Sequence, residues 1–479
     1  MYAPRHAIHS DPGSPIPWSW LPAAWLEPAR GRRHRPWRPE WRLAPRPLTP
    51  YSASVLAQVL PRLAARISKE LALPSAGVEL DIRQGYVFAR PLPLRGPDRW
   101  LPLRAALHGL RAGRLGWDLV RWWDGQGTRA LLADIGELRL RVVPLDRRPA
   151  EPREWTRVLE RCLEVWSQHL DRVLRAEALA ALGRLQLQAL LEAFGVAEGA
   201  GGPAARPVTA DDLLPVPAVE AEIDQRLWHM ATVARQDPAL RQVFTPRENG
   251  PYGADGATED EAARQAAPLP AGELHRRLSR LAADPGRPGD RTREFLSLWN
   301  QFLERFGHLA WPPAELAAPA WAEEPATALQ ILAAHVAGAG PNPVAEEVNA
   351  RRRRQAILAT IEARLGQRRV DRLRLEETRR LAEAMRRVAS ELGYHLLLIR
   401  LWWRRAVLLA GRELAARGCL ATAEDVWFLT PDEVLKAVAS ADSAHPPDLL
   451  STATGRRREW ERALRDSPLA GTAGSRPET

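Results

Sequence analysis

Lysine is almost absent from this chain of 479 residues, in which Lys69 and Lys436 are the only two although Lys and Arg together number 68. Arginine therefore carries nearly all the positive charge behind the net charge of +10. Surfaces that bind phosphate usually employ lysine as a point charge beside arginine. We therefore do not interpret the basic composition as a nucleic-acid-binding signature. An Arg-rich nucleic-acid binder stays open as a third class, and it would lose affinity steeply as salt rises.

Cysteines and long apolar runs are also scarce. Cys162 and Cys419 are the two cysteines, and both lie in apolar helical patterns, which argues against a disulfide framework or a metal site. The longest apolar candidate, residues 396–410, is interrupted by three arginines, and the N-terminus lacks the apolar core of a signal peptide. We predict a cytoplasmic protein with no membrane segment.

The strongest helical pattern lies near the C-terminus. Apolar residues recur every three or four positions at Leu396, Ile399, Trp403, Val407, Ala410 and Leu414. This spacing places them on one face of a helix and predicts that the helix is buried. Gly418 follows, where a left-handed residue commonly ends a helix.

Two helix starts come directly after this helix. Thr422 with Asp425, and Thr430 with Glu433, have the spacing of capping boxes,. Pro431 occupies the first helical position after Thr430, where its missing N–H costs nothing. A tight turn and a new helix are therefore predicted here, so that the chain folds back on itself.

A small β element is predicted earlier in the chain. Residues 78–94 read as strand, turn and strand, with the turn at Gln84-Gly85,. Residues 115–143 suggest a second hairpin, because Leu138, Leu140 and Val142 alternate with arginines as in a half-exposed strand. We predict a mainly α (α+β) fold, a multi-helix body with a small antiparallel β element near residues 78–143.

Composition and periodicity suggest a domain organisation. We predict an extended Pro/Trp/Arg-rich arm at 1–45 that packs on the body, a helix with a small β subdomain at 46–150, a helical body at 151–465 with loops near 198–215 and 245–272, and a disordered tail at 466–479. Thr49 and Pro50 are expected to begin the first helix. Within the helical body, Glu222 and Asp224 are two residues apart and face different sides of a helix, so we predict solvated or ion-paired roles for them.

Several motifs point to one family. The run from Ala415 to Thr430 resembles the end of the central region of phosphoenolpyruvate synthase-like and rifampicin phosphotransferase-like proteins. The Pro-Leu-Thr-Pro run at 47–50 and the Gly-Tyr-Val-Phe run at 85–88 are similar to the beginning of that region. The most specific similarity is Phe-Gly-His at 306–308, followed by a proline-bearing loop around Trp321. The resemblance extends over about residues 35–465.

The resemblance implies a body that lies between an ATP-grasp domain and a swivelling phosphohistidine domain. None of the 11 histidines has the sequence setting of the family's phosphohistidine, and the chain contains no Gly-Lys phosphate loop. We therefore expect no cofactor to be bound by this chain, and ATP and Mg are implied only for partner subunits. The expected partners are separately encoded ATP-grasp and phosphohistidine-domain proteins.

The same resemblance supplies candidate site residues. Family members that phosphorylate an acceptor carry an Arg-Glu pair just before the long helix, where this chain has Ser390-Glu391, so the glutamate is present and the arginine is not. The substrate-binding candidates are Glu391, Ser390, Tyr394, His308 and Trp403; we assign no catalytic residue and no metal ligand. The alternatives are a cap or ion pair for Glu391, a packed histidine for His308 and core packing for Trp403.

Two functions follow from these observations. The first is a stand-alone acceptor-binding or scaffold subunit of a split phosphoenolpyruvate synthase-like or rifampicin phosphotransferase-like system, with an apolar small molecule as a possible acceptor. Such a subunit is not expected to be catalytic alone. The alternative is a non-catalytic helical protein, derived from that family, that binds a small molecule or a protein.

Overall fold

The structure is a computed structural model that describes residues 19–26, 37–94, 101–147, 151–196, 207–244, 271–283, 289–338, 342–440 and 448–466. These residues form thirteen α-helices and one small antiparallel sheet, which confirms the mainly α prediction. Three predicted segments lie outside the described residues. They are the disordered tail apart from Asp466, the loop at 245–272 apart from its last two residues, and residues 198–206 of the loop near 198–215. The predicted domain boundaries stay predictions.

The chain divides into two compact units. The first comprises Met1–Leu214, Pro312–Ala318 and Ile357–Thr479, and the second comprises Pro215–Trp311 and Pro319–Ala356. Helices of the first unit are α1 (Pro50–Glu70), α2 (Leu101–Trp122), α3 (Thr128–Val142), α4 (Pro152–Ala193), α11 (Arg369–Ala416), α12 (Pro431–Ala439) and α13 (Leu449–Arg465). Those of the second are α5 (Ala218–Gln236), α6 (Pro238–Phe244), α7 (Ala271–Ala283), α8 (Asp290–Phe306) and α9 (Ala326–Val336). Residues of α10 (Pro343–Leu365) belong to both.

The first unit is built around α11, whose most extensive packing is against α4. All six apolar residues of the predicted face, from Leu396 to Leu414, are buried. The two helices approach closely at Gly183, where an added Cβ atom would lie 2.8 Å from the Cβ of Ala382. The helical period in the sequence therefore identified the central element of the core correctly.

The end of α11 also follows the prediction. Gly418 has a φ of +75°, in the left-handed region. Capping boxes form at Thr422 with Asp425 and at Thr430 with Glu433, before the 3-10 helix Ala423–Phe428 and α12 respectively. The reciprocal bonds satisfy backbone N–H groups that a helix start would otherwise leave without partners.

The sheet has the order β1-β3-β2, with β1 at Arg38–Pro39, β2 at Val78–Arg83 and β3 at Tyr86–Pro91. Strands β2 and β3 form the predicted hairpin, and Arg83 pairs with Tyr86 across the turn. Both turn residues, Gln84 and Gly85, have positive φ, as a two-residue hairpin turn requires.

The second hairpin expected at 115–143 is wrong, because this segment is helical. A five-residue π-helical turn, Trp123–Gly127, joins α2 to α3. In α3 the buried residues are Leu131, Ile135, Leu138 and Val142, spaced three or four apart, whereas Leu140 is 77% exposed. The alternation that favoured a strand therefore included a solvent-facing leucine, and the helical period was the correct one.

The described residues of the N-terminal arm are packed within the first unit. Trp20 and Trp25 are buried. The ring of Trp20 meets Trp166 edge-on with centroids 5.8 Å apart. The indole N–H of Trp25 donates to the Ser68 hydroxyl at 2.7 Å. Burial of these aromatic surfaces contributes to the hydrophobic free energy of folding.

In the second unit, α5 packs against α8 and α9. Phe295, Phe302 and Phe306 of α8 are buried. Trp321 stacks on Phe302 with centroids 6.0 Å apart, and its backbone N–H donates to the Leu309 carbonyl at 2.8 Å. Trp321 thus anchors the loop after α8.

Candidate functional site

Glu391, Ser390 and Tyr394 lie together near the middle of α11. Ser390 is buried, whereas the Glu391 side chain is 27% exposed. The indole N–H of Trp123, in the π-helical turn, donates a hydrogen bond to Glu391 Oε2. Because this contact joins residues 268 positions apart, local sequence patterns gave no indication of it.

An arginine stands beside this glutamate after all. Arg387 is one helical turn before Glu391, and its Nη1 lies 3.6 Å from Glu391 Oε2. Its Nη2 donates to both carboxylate oxygens of Asp124, at 2.9 and 3.1 Å. Arg387 and Glu391 are thus paired at i,i+4 spacing, a pair that the helical period of the sequence would have revealed,.

His395 completes this cluster. Its Nδ1 lies 2.7 Å from the Glu391 carbonyl oxygen, and since a carbonyl oxygen only accepts, Nδ1 carries the proton. The imidazole meets the rings of Trp123 and Tyr394 edge-on, at centroid distances of 5.7 and 5.1 Å. Glu391, Arg387, Asp124, Trp123 and His395 are called the Glu391 cluster below.

A second histidine lies nearby in the same unit but is fully engaged. Nε2 of His169 donates to Asp134 Oδ2 at 2.8 Å, and Nδ1 accepts from Arg172 Nη1 at 3.1 Å. Burial, the largest cause, lowers the pKa of His169, and the neutral tautomer fits both bonds. This histidine fixes α3 to α4, and sequence spacing did not reveal the pair.

The remaining two candidates are located elsewhere. Trp403 lies about three turns after Glu391 on α11, where it is buried and packs on Trp166 and Tyr51 at centroid distances of 5.3 and 6.2 Å. His308 is buried in the second unit, just after α8. The ligand roles of Trp403 and His308 stay predictions.

Glu222 and Asp224 of α5 lie in two different environments. Glu222 accepts from Arg226 at 2.9 Å and from Arg305 at 3.0 Å, which is the predicted ion pairing. Burial raises the pKa of Asp224 to about 7, with a smaller effect from the charge of Glu220. Glu220 precedes Asp224 by four residues, so the two carboxyl groups share a helix face, a spacing that the sequence analysis missed.

Among the described residues, no group of three or more His, Cys, Asp or Glu side chains is arranged to hold a metal ion. In the same part of the chain, every helix is too short or too polar to cross a membrane.

Comparison with known proteins relates the middle of the chain to one family. The family model described as the rifampicin phosphotransferase fourth domain matches residues 175–392. This range includes Arg387, Ser390, Glu391 and His308, whereas Trp123 and Trp403 lie outside it. No curated protein matches the chain significantly. The central region of this chain, from residue 175 to residue 392, thus resembles the rifampicin phosphotransferase-like proteins, as its motifs predicted.

Proposed function

We propose that this chain is the acceptor-binding component of a split phosphotransfer system, acting with separately encoded ATP-grasp and phosphohistidine proteins. The observation that carries the proposal is the partly exposed Glu391 with Arg387 beside it, at 3.6 Å, within the region similar to the rifampicin phosphotransferase fourth domain. A carboxylate can take a proton from a hydroxyl, and a guanidinium can stabilise the charge of a transferring phosphoryl group.

Each group has a distinct task in this proposal. Glu391 takes the proton from the acceptor hydroxyl as its oxygen attacks phosphorus. Arg387 donates to the oxygens of the transferring phosphoryl group, where negative charge is concentrated. The bond between phosphorus and the donor nitrogen of the partner's phosphohistidine breaks as the new P–O bond forms. The chain itself holds and orients the acceptor.

The side chains around the cluster favour an acceptor with apolar surface. Trp122 is half-buried and lies beside Trp123, with ring centroids 6.1 Å apart. Arg172 covers one face of Trp122 at 4.7 Å. Tyr394 is likewise half-buried on α11. We propose a small molecule that carries a hydroxyl group on an apolar or aromatic framework.

The test is reconstitution with purified components. The chain is mixed with candidate ATP-grasp and phosphohistidine proteins, ATP labelled in its phosphates, and a panel of hydroxyl-bearing aromatic and macrocyclic compounds. The proposal expects label in a compound only when all three proteins are present. Absence of any complex and of any transfer in every combination would contradict it. A compound that raises the melting temperature without ever being phosphorylated would instead support the non-catalytic binding protein.

A further inference from the structure

Arginine-glutamate pairs with i,i+4 spacing recur along α11 and at its C-terminal end, but one of them is held apart. Arg379 and Glu383 meet at 2.9 Å, and Glu413 and Arg417 at 2.8 Å. Arg387 and Glu391 have the same order and spacing as the first of these pairs, yet their closest atoms are 3.6 Å apart. Since the helix allows this spacing to close elsewhere, groups outside α11 must keep the Arg387–Glu391 pair open.

Those groups are two consecutive residues of the π-helical turn. Trp123 donates its indole N–H to Glu391, and Asp124 accepts from Arg387 through both carboxylate oxygens. Each member of the pair is thus drawn to a different residue. A closed ion pair would satisfy the carboxylate and the guanidinium with each other, whereas in the open pair each group has a separate partner.

The turn itself is shaped for this contact. π-Helical turns are rare inside α-helices and occur frequently at functional sites. Here Gly127 provides the space that the indoles occupy, since an added Cβ atom would lie 2.8 Å from an atom of Trp122 and 2.9 Å from an atom of Trp123. Trp123 is buried, while Asp124 is exposed, so one residue is fixed by packing and the other reaches the surface.

We infer that Trp123 and Asp124 are positioning residues that hold Glu391 and Arg387 apart, so that the carboxylate can receive the hydroxyl proton while the guanidinium meets a phosphoryl oxygen. The inference rests on the proposed function for its chemistry, but its structural part can be tested alone. Neither residue takes part in the reaction directly. Both act by fixing the geometry of groups that do.

The test uses Asp124→Ala and Trp123→Phe, with Asp118→Ala as the matched control. Asp118 is similarly exposed and pairs with Arg121 on α2. Asp124→Asn is the conservative variant, which retains an oxygen for Arg387. Asp124 is 51% exposed, so its variants should fold normally, as a melting temperature within the error of wild type would show.

Two measurements separate the inference from the proposed function. Crystal structures give the Arg387–Glu391 distance, which we expect to close to a direct hydrogen bond in Asp124→Ala and to stay open in Asp118→Ala. Reconstituted transfer gives kcat and KM. For Asp124→Ala we expect kcat to fall about tenfold to a hundredfold while KM changes little. Asp124→Asn should recover part of the lost kcat. An open pair in both Asp124→Ala and Trp123→Phe would overturn the inference, as would a closed pair with unchanged kcat. Closure of the pair supports the inference even if wild type transfers no phosphate, a result that would count against the proposed function alone.

Discussion

Glu315 accepts a hydrogen bond from the backbone N–H of Thr49 at 2.7 Å, across 266 residues of sequence. Its other carboxylate oxygen accepts from the hydroxyls of Thr49 and Ser52, at 2.8 and 2.6 Å. Thr49 precedes α1 but makes no side-chain cap of its own. The buried carboxylate of Glu315 therefore takes over the capping role at the start of α1, where the helix dipole also favours a negative charge.

The first prediction concerns this buried network. Glu315→Ala leaves the Thr49 and Ser52 donors buried without their acceptor, so we expect a loss of at least about 3 kcal/mol in the free energy of unfolding. Glu324→Ala, at an exposed position of the same loop, should change it by less than about 0.5 kcal/mol. Urea denaturation of both variants provides the comparison. Equal effects would show that the carboxylate does not stabilise α1.

The second prediction compares two helical glycines. An added Cβ atom at Gly411 of α11 would lie 2.2 Å from the Ala423 carbonyl oxygen, whereas the Cβ of a residue at Gly136 of α3 would have no atom within 4 Å. We expect Gly411→Ala to destabilise the first unit by about 1–3 kcal/mol and Gly136→Ala to stabilise it by up to about 1 kcal/mol. Thermal unfolding of the two variants is the measurement. A stabilising Gly411→Ala would mean that α11 and the 3-10 helix are further apart than described.

The third prediction is that the stability of the folded protein depends on pH through a contact of the N-terminal arm. Glu177 accepts the Trp20 backbone N–H on both carboxylate oxygens, at 3.0 Å each, and burial raises the pKa of Glu177 to about 8. Between its usual pKa and about 8, the folded state holds a proton that the unfolded state releases. This contribution to stability is therefore complete at low pH and is lost as pH rises towards 8.

Glu177→Gln removes this titration while keeping an acceptor for Trp20. We expect the urea midpoint of wild type to fall more than that of Glu177→Gln between pH 5 and pH 8, since each pKa unit corresponds to about 1.4 kcal/mol. Glu192→Gln, on the exposed end of α4, serves as the control. Parallel profiles for wild type and Glu177→Gln would exclude a proton held by Glu177 in this range.

Features that depend on local spacing were predicted well. The buried face of α11, the left-handed Gly418 and the capping boxes at Thr422 and Thr430 follow from residues within one or two turns of each other. The hairpin at Gln84-Gly85 is equally local. Each of these elements is determined by a few neighbouring residues, so the sequence alone was sufficient.

Other features could not be read from local patterns. The prediction of a hairpin over residues 115–143 was wrong because it rested on three alternating apolar residues. The apolar residues spaced three or four apart in the same segment indicate a helix. The Trp123–Glu391 and Thr49–Glu315 contacts join distant parts of the chain, so they become visible only when the helices are packed. Arg387 differs from these contacts, because it is not adjacent to Glu391 in the sequence and the helix brings it close from four residues away.

The proposed phosphate transfer depends most on Glu391, which receives the acceptor's proton. The decisive measurement is the rate of phosphate transfer in the reconstituted system with Glu391→Gln, compared with Glu413→Gln. Glu413 is a matched glutamate on the same helix and pairs with Arg417, which directly follows that helix. We predict that Glu391→Gln lowers kcat by about a hundredfold or more, while Glu413→Gln transfers phosphate at the wild-type rate. Transfer by Glu391→Gln at the wild-type rate would contradict the proposed site.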